Sequence, residues 1–221
     1  MEPIFEAVLE GEAKVARLLR GDPAVARTRA SRDRLIETIP HWLYAGDTSL
    51  HLAAAGLWPG IARALLASGA DPKAGNRRGA TPLHYACDPR PRSGGVWDEA
   101  AQASLIDLLV EHGADIDAAD RGGATPLHRA VRARSVAAVR QLLARGARTD
   151  GVLKKGASSP LHLATRSTGA SGTAGTLADQ LEIIHLLLRH GADAAAPDAA
   201  GRTPRDWARN EKVVEALQGR T

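Results

Sequence analysis

The sequence predicts an all-α protein, a solenoid of stacked helix-turn-helix units joined by hairpin-like loops. Three observations predict it. A short phrase recurs along the 221 residues: Thr48-Ser49-Leu50-His51, Thr81-Pro82-Leu83-His84, Thr125-Pro126-Leu127-His128 and Ser159-Pro160-Leu161-His162, with a degraded copy at Thr203-Pro204-Arg205-Asp206. A second phrase closes each unit: Gly69-Ala70-Asp71, Gly113-Ala114-Asp115, Gly146-Ala147-Arg148 and Gly191-Ala192-Asp193. The opening phrases start 33, 44, 34 and 44 residues apart, which is the spacing of a repeat array. Third, aromatic residues make up only 3% of the chain beside 43 alanines. A core so poor in large rings must bring its backbones close together, which suits small helices in tight contact.

Each part of the unit has a local reason. Thr at an N-cap accepts a bond from an orphan backbone N–H, and Pro at the first helical position has no N–H to leave unpaired. A short inner helix follows, as in Leu50–Ala55. An outer helix comes next, with apolar residues at Ile61, Leu65 and Leu66, then at Leu105, Ile106, Leu108 and Leu109. Gly69, Gly113, Gly146 and Gly191 end the outer helices in the left-handed cap that glycine tolerates. Stretches such as Asp120-Arg121-Gly122-Gly123 suit the turn into the next unit. A lone helix pair cannot bury its apolar face, so each unit depends on its neighbours.

On these two phrases the chain resembles the ankyrin-repeat family, as a single-domain member of bacterial type with two long inter-helix insertions. The resemblance runs from Thr48 to about Gln218. It implies one domain over 1–221. Residues 1–47 form an N-terminal cap helix pair (Ile4–Glu10 and Ala13–Arg20) and an extended finger. Full repeats occupy 48–80, 81–124, 125–158 and 159–202, and 203–221 is a C-terminal cap. It implies further that Thr81, His84, Thr125, His128, His51 and His162 are structural, the histidines bonding the turns that join neighbouring repeats. The implied activity is binding of a protein partner on the concave face, through hairpin tips and inner helices.

Three segments depart from the plain repeat. Leu35–Tyr44 reads as a finger or hairpin rich in large apolar groups, either folded down over the first repeat or presented to a partner through Trp42 and Tyr44. The two 44-residue units carry insertions between their helices, at 88–98 with Trp97 and at 167–176, nearly all Gly, Ser, Thr and Ala. Insertions of this kind either mark a binding face or are length variation tolerated at an exposed turn. In the first repeat Leu57 stands where the family usually has glycine, and Trp58-Pro59 opens the outer helix.

Charge points to the partner. The net charge is +4, with 24 of the 29 basic residues Arg. Aligned on the family, the hairpin tips and inner-helix ends carry Arg77, Arg78, Arg121, Arg132, Arg134, Lys154 and Lys155, with Trp42, Tyr44, Trp58 and Trp97 as aromatic candidates. Such a set suits an acidic protein segment bearing an apolar anchor. The alternative is nucleic acid, with the same arginines on phosphates. Charge reversal at Arg132 and Arg134 is expected to spare folding.

No enzyme is expected: there is no Gly-rich phosphate loop before a helix and no HExxH, and Cys87 has no base placed beside it in the sequence. No metal and no cofactor are expected either. The motif histidines recur once per repeat, roughly 8–10 Å apart, whereas zinc ligands converge on one point. His185 aligns with Asp107 on an exposed helix face, and His112 and His190 precede helix-ending glycines. The acidic N-terminus has neither the basic region nor the apolar stretch of a secretory signal, so a cytoplasmic monomer without membrane contact is expected.

Overall fold

The protein is described by a computed structural model covering residues 2–36, 41–88, 98–166 and 176–219. It divides into two compact units, Met1–Asp115 and Ile116–Thr221. The first contains α1 (Pro3–Glu10), α2 (Glu12–Gly21), a 3-10 turn at Pro23–Arg27, strands β1 (Arg34–Ile36) and β2 (His41–Leu43), α3 (Ser49–Ala55), α4 (Pro59–Ala67), α5 (Pro82–Ala86) and α6 (Glu99–Glu111). The second contains α7 (Pro126–Arg132), α8 (Val136–Ala144), α9 (Pro160–Thr165), α10 (Leu177–Arg189), α11 (Pro204–Trp207) and α12 (Glu211–Leu217).

Packing follows the repeat. In the first unit α3 lies against α5, α4 against α6, and the α1–α2 pair covers α3 and α4. In the second unit α7 lies against α9, α9 against α11, α8 against α10 and α10 against α12. The apolar positions read from the outer helices are the core. Leu65, Leu105, Ile106 and Leu109 are fully buried in the first unit, and Leu142, Ile183 and Leu187 in the second. Phe5, the only phenylalanine, lies on α1 and is fully buried.

The opening phrase is a capping box in which histidine takes the place usually held by Glu or Gln. Thr48 N–H donates to His51 Nδ1 at 3.0 Å, and Thr81, Thr125 and Ser159 do the same to His84, His128 and His162 at 3.1, 3.2 and 3.2 Å. Because Nδ1 accepts, Nε2 carries the proton and can reach the next turn. His51 Nε2 donates to the Ala80 carbonyl at 3.0 Å, and His162 Nε2 to the Arg202 carbonyl at 3.0 Å. In the degraded last copy Asp206 stands in the histidine's place and still closes the box, accepting from Thr203 N–H at 2.7 Å.

The joint between inner and outer helix is made in two ways. In the two short units the backbone N–H of Trp58 donates to Ala53 O at 3.0 Å, and that of Ser135 to Ala130 O at 3.1 Å. The residues before those donors, Leu57 and Arg134, sit in the left-handed region at φ 53° and 59°, the conformation glycine would take without strain. Trp58 also lays its ring on Gly56, where a Cβ would come within 2.7 Å of the indole. In the two inserted units the outer helix begins earlier, and a glutamine side chain takes over. Gln102 Nε2 donates to Ala86 O at 2.8 Å, and Gln180 Nε2 to Ala164 O at 2.8 Å and Arg166 O at 3.1 Å. Ala53, Ala86, Ala130 and Ala164 each stand two residues after their motif histidine, so one carbonyl is served by two kinds of donor. Gln102→Leu is therefore expected to cost about 1–3 kcal/mol by leaving the buried Ala86 carbonyl without its donor. Urea unfolding measures it, and a loss near zero would mean that another donor serves Ala86.

Candidate functional site

The finger is a two-stranded antiparallel hairpin with Arg34 opposite Leu43, Leu35 opposite Trp42 and Ile36 opposite His41. Side chains alternate along a strand, so the register sorts them into two faces. Ile36 and Leu43 are buried, while Leu35 and Trp42 are 48% and 47% exposed. One face of the finger is thus buried against the fold, and the other leaves an apolar pair half exposed. The His41 ring stacks on Tyr85 of α5 with centroids 4.5 Å apart. A shallow depression of about 380 Å³ lies between the finger and the N-terminus, lined by Glu2, Ser31, Arg32, Arg34 and Leu43.

A buried polar network, not foreseen from the sequence, holds the base of the finger. The Asp47 carboxylate is inaccessible and accepts from Tyr44 N–H at 2.6 Å, the Tyr85 hydroxyl at 2.8 Å and the Asn76 amide at 2.9 Å. Asn76 Oδ1 in turn accepts from Arg78 N–H and Ala80 N–H at 2.8 and 3.1 Å, which shapes the first hairpin tip. The partners of Asp47 lie far apart in sequence, and only its neighbour Tyr44 gave a local signal. Beyond the network, Ala45 N–H donates to Asp33, and the Arg77 guanidinium pairs with the same carboxylate. Arg77 and Arg78 approach the Tyr44 ring, at 5.6 and 4.3 Å from its centroid.

In the second unit the tips carry Arg121 and, on the next turn, Lys154 and Lys155, all exposed. The two turns are joined by Lys154 N–H donating to Gly122 O at 2.8 Å, and Gly123 at φ 83° leaves no room there for a Cβ. Arg132 is exposed at the end of α7, but Arg134 is not the open cation expected. Its guanidinium is part-buried and donates to Ala164 O at 3.3 Å and Arg166 O at 2.5 Å, at the end of α9. The expectation that reversing its charge spares folding is corrected accordingly: a carboxylate there would face carbonyl oxygens. His185 also differs from expectation, being half-buried with Nε2 enclosed. His112 and His190 direct Nδ1 at the carbonyls of Leu108 and Leu186, at 2.8 and 2.9 Å, as suits residues ending a helix. The Arg166 and Arg202 guanidiniums lie over the Trp207 ring at 5.5 and 5.2 Å. Trp97 and most of both insertions (89–97 and 167–175) lie outside the described residues.

Burial fixes the protonation of two of the motif histidines. It lowers His51 and His128 from 6.5 to about 4, although the carbonyls they face oppose the shift. Asp47 moves upward, because loss of hydration outweighs its three donors. These two histidines are neutral in the fold, so the unfolded chain takes up protons below about pH 6.5 that the fold refuses. Their contribution is complete above that pH and is lost as the pH falls towards 4, at up to about 1.4 kcal/mol per pH unit for each. Asp47 acts in the opposite sense, since its raised value favours the fold as acid protonates it. Urea midpoints are expected to fall between pH 7.5 and pH 5, and a constant midpoint would contradict the assignment.

Among the described residues no group of three or more His, Cys, Asp or Glu stands where it could hold a metal ion. Among the same residues no helix is long and apolar enough to cross a membrane. Cys87 is buried at the end of α5.

Comparison with known proteins agrees with the geometry. Residues 98–198 match the family of ankyrin repeats in three copies, and residues 45–77 match a further ankyrin repeat. The chain belongs to the ankyrin-repeat family. It is 32% identical over 198 residues to the B-cell lymphoma 3 protein homolog of Mus musculus and to the B-cell lymphoma 3 protein of Homo sapiens. Each alignment covers 79% of this chain and 42% of the relative, so the chain spans less than half the length of the curated relatives it matches.

Proposed function

We propose that the protein is a monomeric, non-catalytic interaction module that binds a protein partner through the hairpin tips and inner helices of its repeats. The partner segment is acidic and carries an apolar anchor. One observation carries the reading. Arg78, Arg121, Lys154 and Lys155 are exposed at the tips, and among the described residues their charged groups have no hydrogen bond or ion pair. Cations left open in this way are available to carboxylates and steer an acidic partner. Trp42 and Tyr44 in the first unit supply residue types favoured as interface anchors. The reading sets the module in the cytoplasm, which suits a chain whose single thiol has no second cysteine to pair with.

The test is capture from host lysate by the tagged chain, with and without nuclease, beside a variant with Glu at Arg78, Arg121, Lys154 and Lys155. Arg134 and Arg77 are left intact because their guanidiniums are engaged within the fold. A protein that survives nuclease and is lost with the variant is the expected result. Recovery of nucleic acid alone, lost with the same variant, would overturn it in favour of phosphate binding.

A further inference from the structure

We infer that the outer face of the finger, with the first hairpin tip beside it, is a docking platform within the first unit for a partner segment that carries an aromatic or aliphatic side chain flanked by carboxylates. The inference deepens the interaction-module reading and rests on it. A hairpin that only covered the repeat would place its apolar residues inward and polar ones outward. Here Ile36 and Leu43 already supply the inward face, and Leu35 and Trp42 form a second apolar pair, directly opposed across the strands and half exposed.

The rim selects the occupant. Two residues beyond Trp42, Tyr44 carries the Arg78 guanidinium 4.3 Å from its ring centroid. Asp33 is already held by Arg77 and by Ala45 N–H, whereas Arg78 has no acid among the described residues. An apolar pair beside one uncompensated cation is complementary to an apolar side chain next to a carboxylate, and a basic partner would be repelled. The platform is also held in place before binding. Asp47 fixes Tyr44 N–H, Asn76 and Tyr85 fix Asp47, and Arg77 N–H holds Ala45 O at 3.2 Å. A surface ordered in advance loses little freedom on association.

The test uses the full chain and a synthetic peptide with one Phe between two Asp on either side, followed through the indole N–H signals of the four tryptophans. A saturable shift of the signal that Trp42→Ser removes is expected. The double variant Leu35→Ser/Trp42→Ser is expected to keep its melting temperature, since both side chains are half exposed, and to lose affinity by about tenfold. Arg78→Glu is expected to weaken the acidic peptide about threefold and to strengthen a Lys-flanked counterpart. The platform is overturned if millimolar peptide leaves the Trp42 signal unmoved, or if the double variant unfolds, which would make the pair part of the packing. It is also overturned if the double variant binds normally while Lys154→Glu/Lys155→Glu abolishes binding. In that last case the interaction-module reading stands, with its site in the second unit. Failure of the lysate capture together with an unmoved Trp42 signal would remove both.

Discussion

Leu109→Ala is expected to lower the stability of the chain by about 2–5 kcal/mol. Leu109 lies on α6, is fully inaccessible, and is enclosed in a unit where α6 packs on both α4 and α5. The loss has two parts, the transfer energy of the removed methylenes and the cavity left behind. Neighbouring core positions in this chain are Leu, Ile and Ala, with few large rings to swing into a gap. The site should therefore collapse poorly and the cost should fall in the upper half of the range. Urea unfolding gives the value. Leu109→Ile, which keeps the volume, should cost less than about 1.5 kcal/mol. Equal losses for the two variants would place the effect in side-chain shape and not in the cavity.

The second large effect is expected at His51, where Ala should cost about 3–5 kcal/mol by stranding two or three polar groups. The imidazole accepts from Thr48 N–H, stands 2.9 Å from Thr48 Oγ1 and donates to Ala80 O, all in a buried setting. Asp47 Oδ1 is 3.7 Å from Nε2, too far to replace Ala80 O at 3.0 Å as the acceptor. Removing the ring opens the helix cap and releases the turn before α5 in one step. His51→Gln separates the two roles. A Gln side chain can close the capping box, as in other helices, but is not rigid enough to hold Ala80 as well, so about half the loss should return. If Gln and Ala are equally damaging, the bond to the Ala80 turn carries the whole effect.

Much of this architecture was legible because each residue of the opening phrase has a local reason to be there. Thr caps, Pro opens the helix, Leu fills the core, and His closes the box; the glycines at φ 86°, 90°, 87° and 84° end the outer helices as read. The helices and their buried faces followed from those marks. Three things did not. The Asp47–Asn76–Tyr85 network joins residues 29 and 38 positions from Asp47, and nothing in the short-range pattern announces it. The two glutamines were visible only as a coincidence, four places into the outer helix of both inserted repeats, and their meaning depends on a carbonyl in another helix. Arg134 occupies the same turn position as Leu57, so the missing glycine noted at Leu57 applied to it as well. Its side chain, however, was read as surface charge, because guanidinium bonds to carbonyls leave no sequence mark. In the candidate site, the aromatic and basic residues could be found by composition and position. Which face of the finger each apolar residue takes required the strand register.

The glutamine joint bears on how the chain tolerates change. Each bond runs from outer helix to inner helix, so the pair is tied directly and not only by the chain that links the two helices in sequence. Where the chain is longest between helices, a change in length is therefore expected to cost little, because the helix pair stays tied by its own bond. Selection, or a protein engineer, could change what those two junctions display without paying for a new repeat.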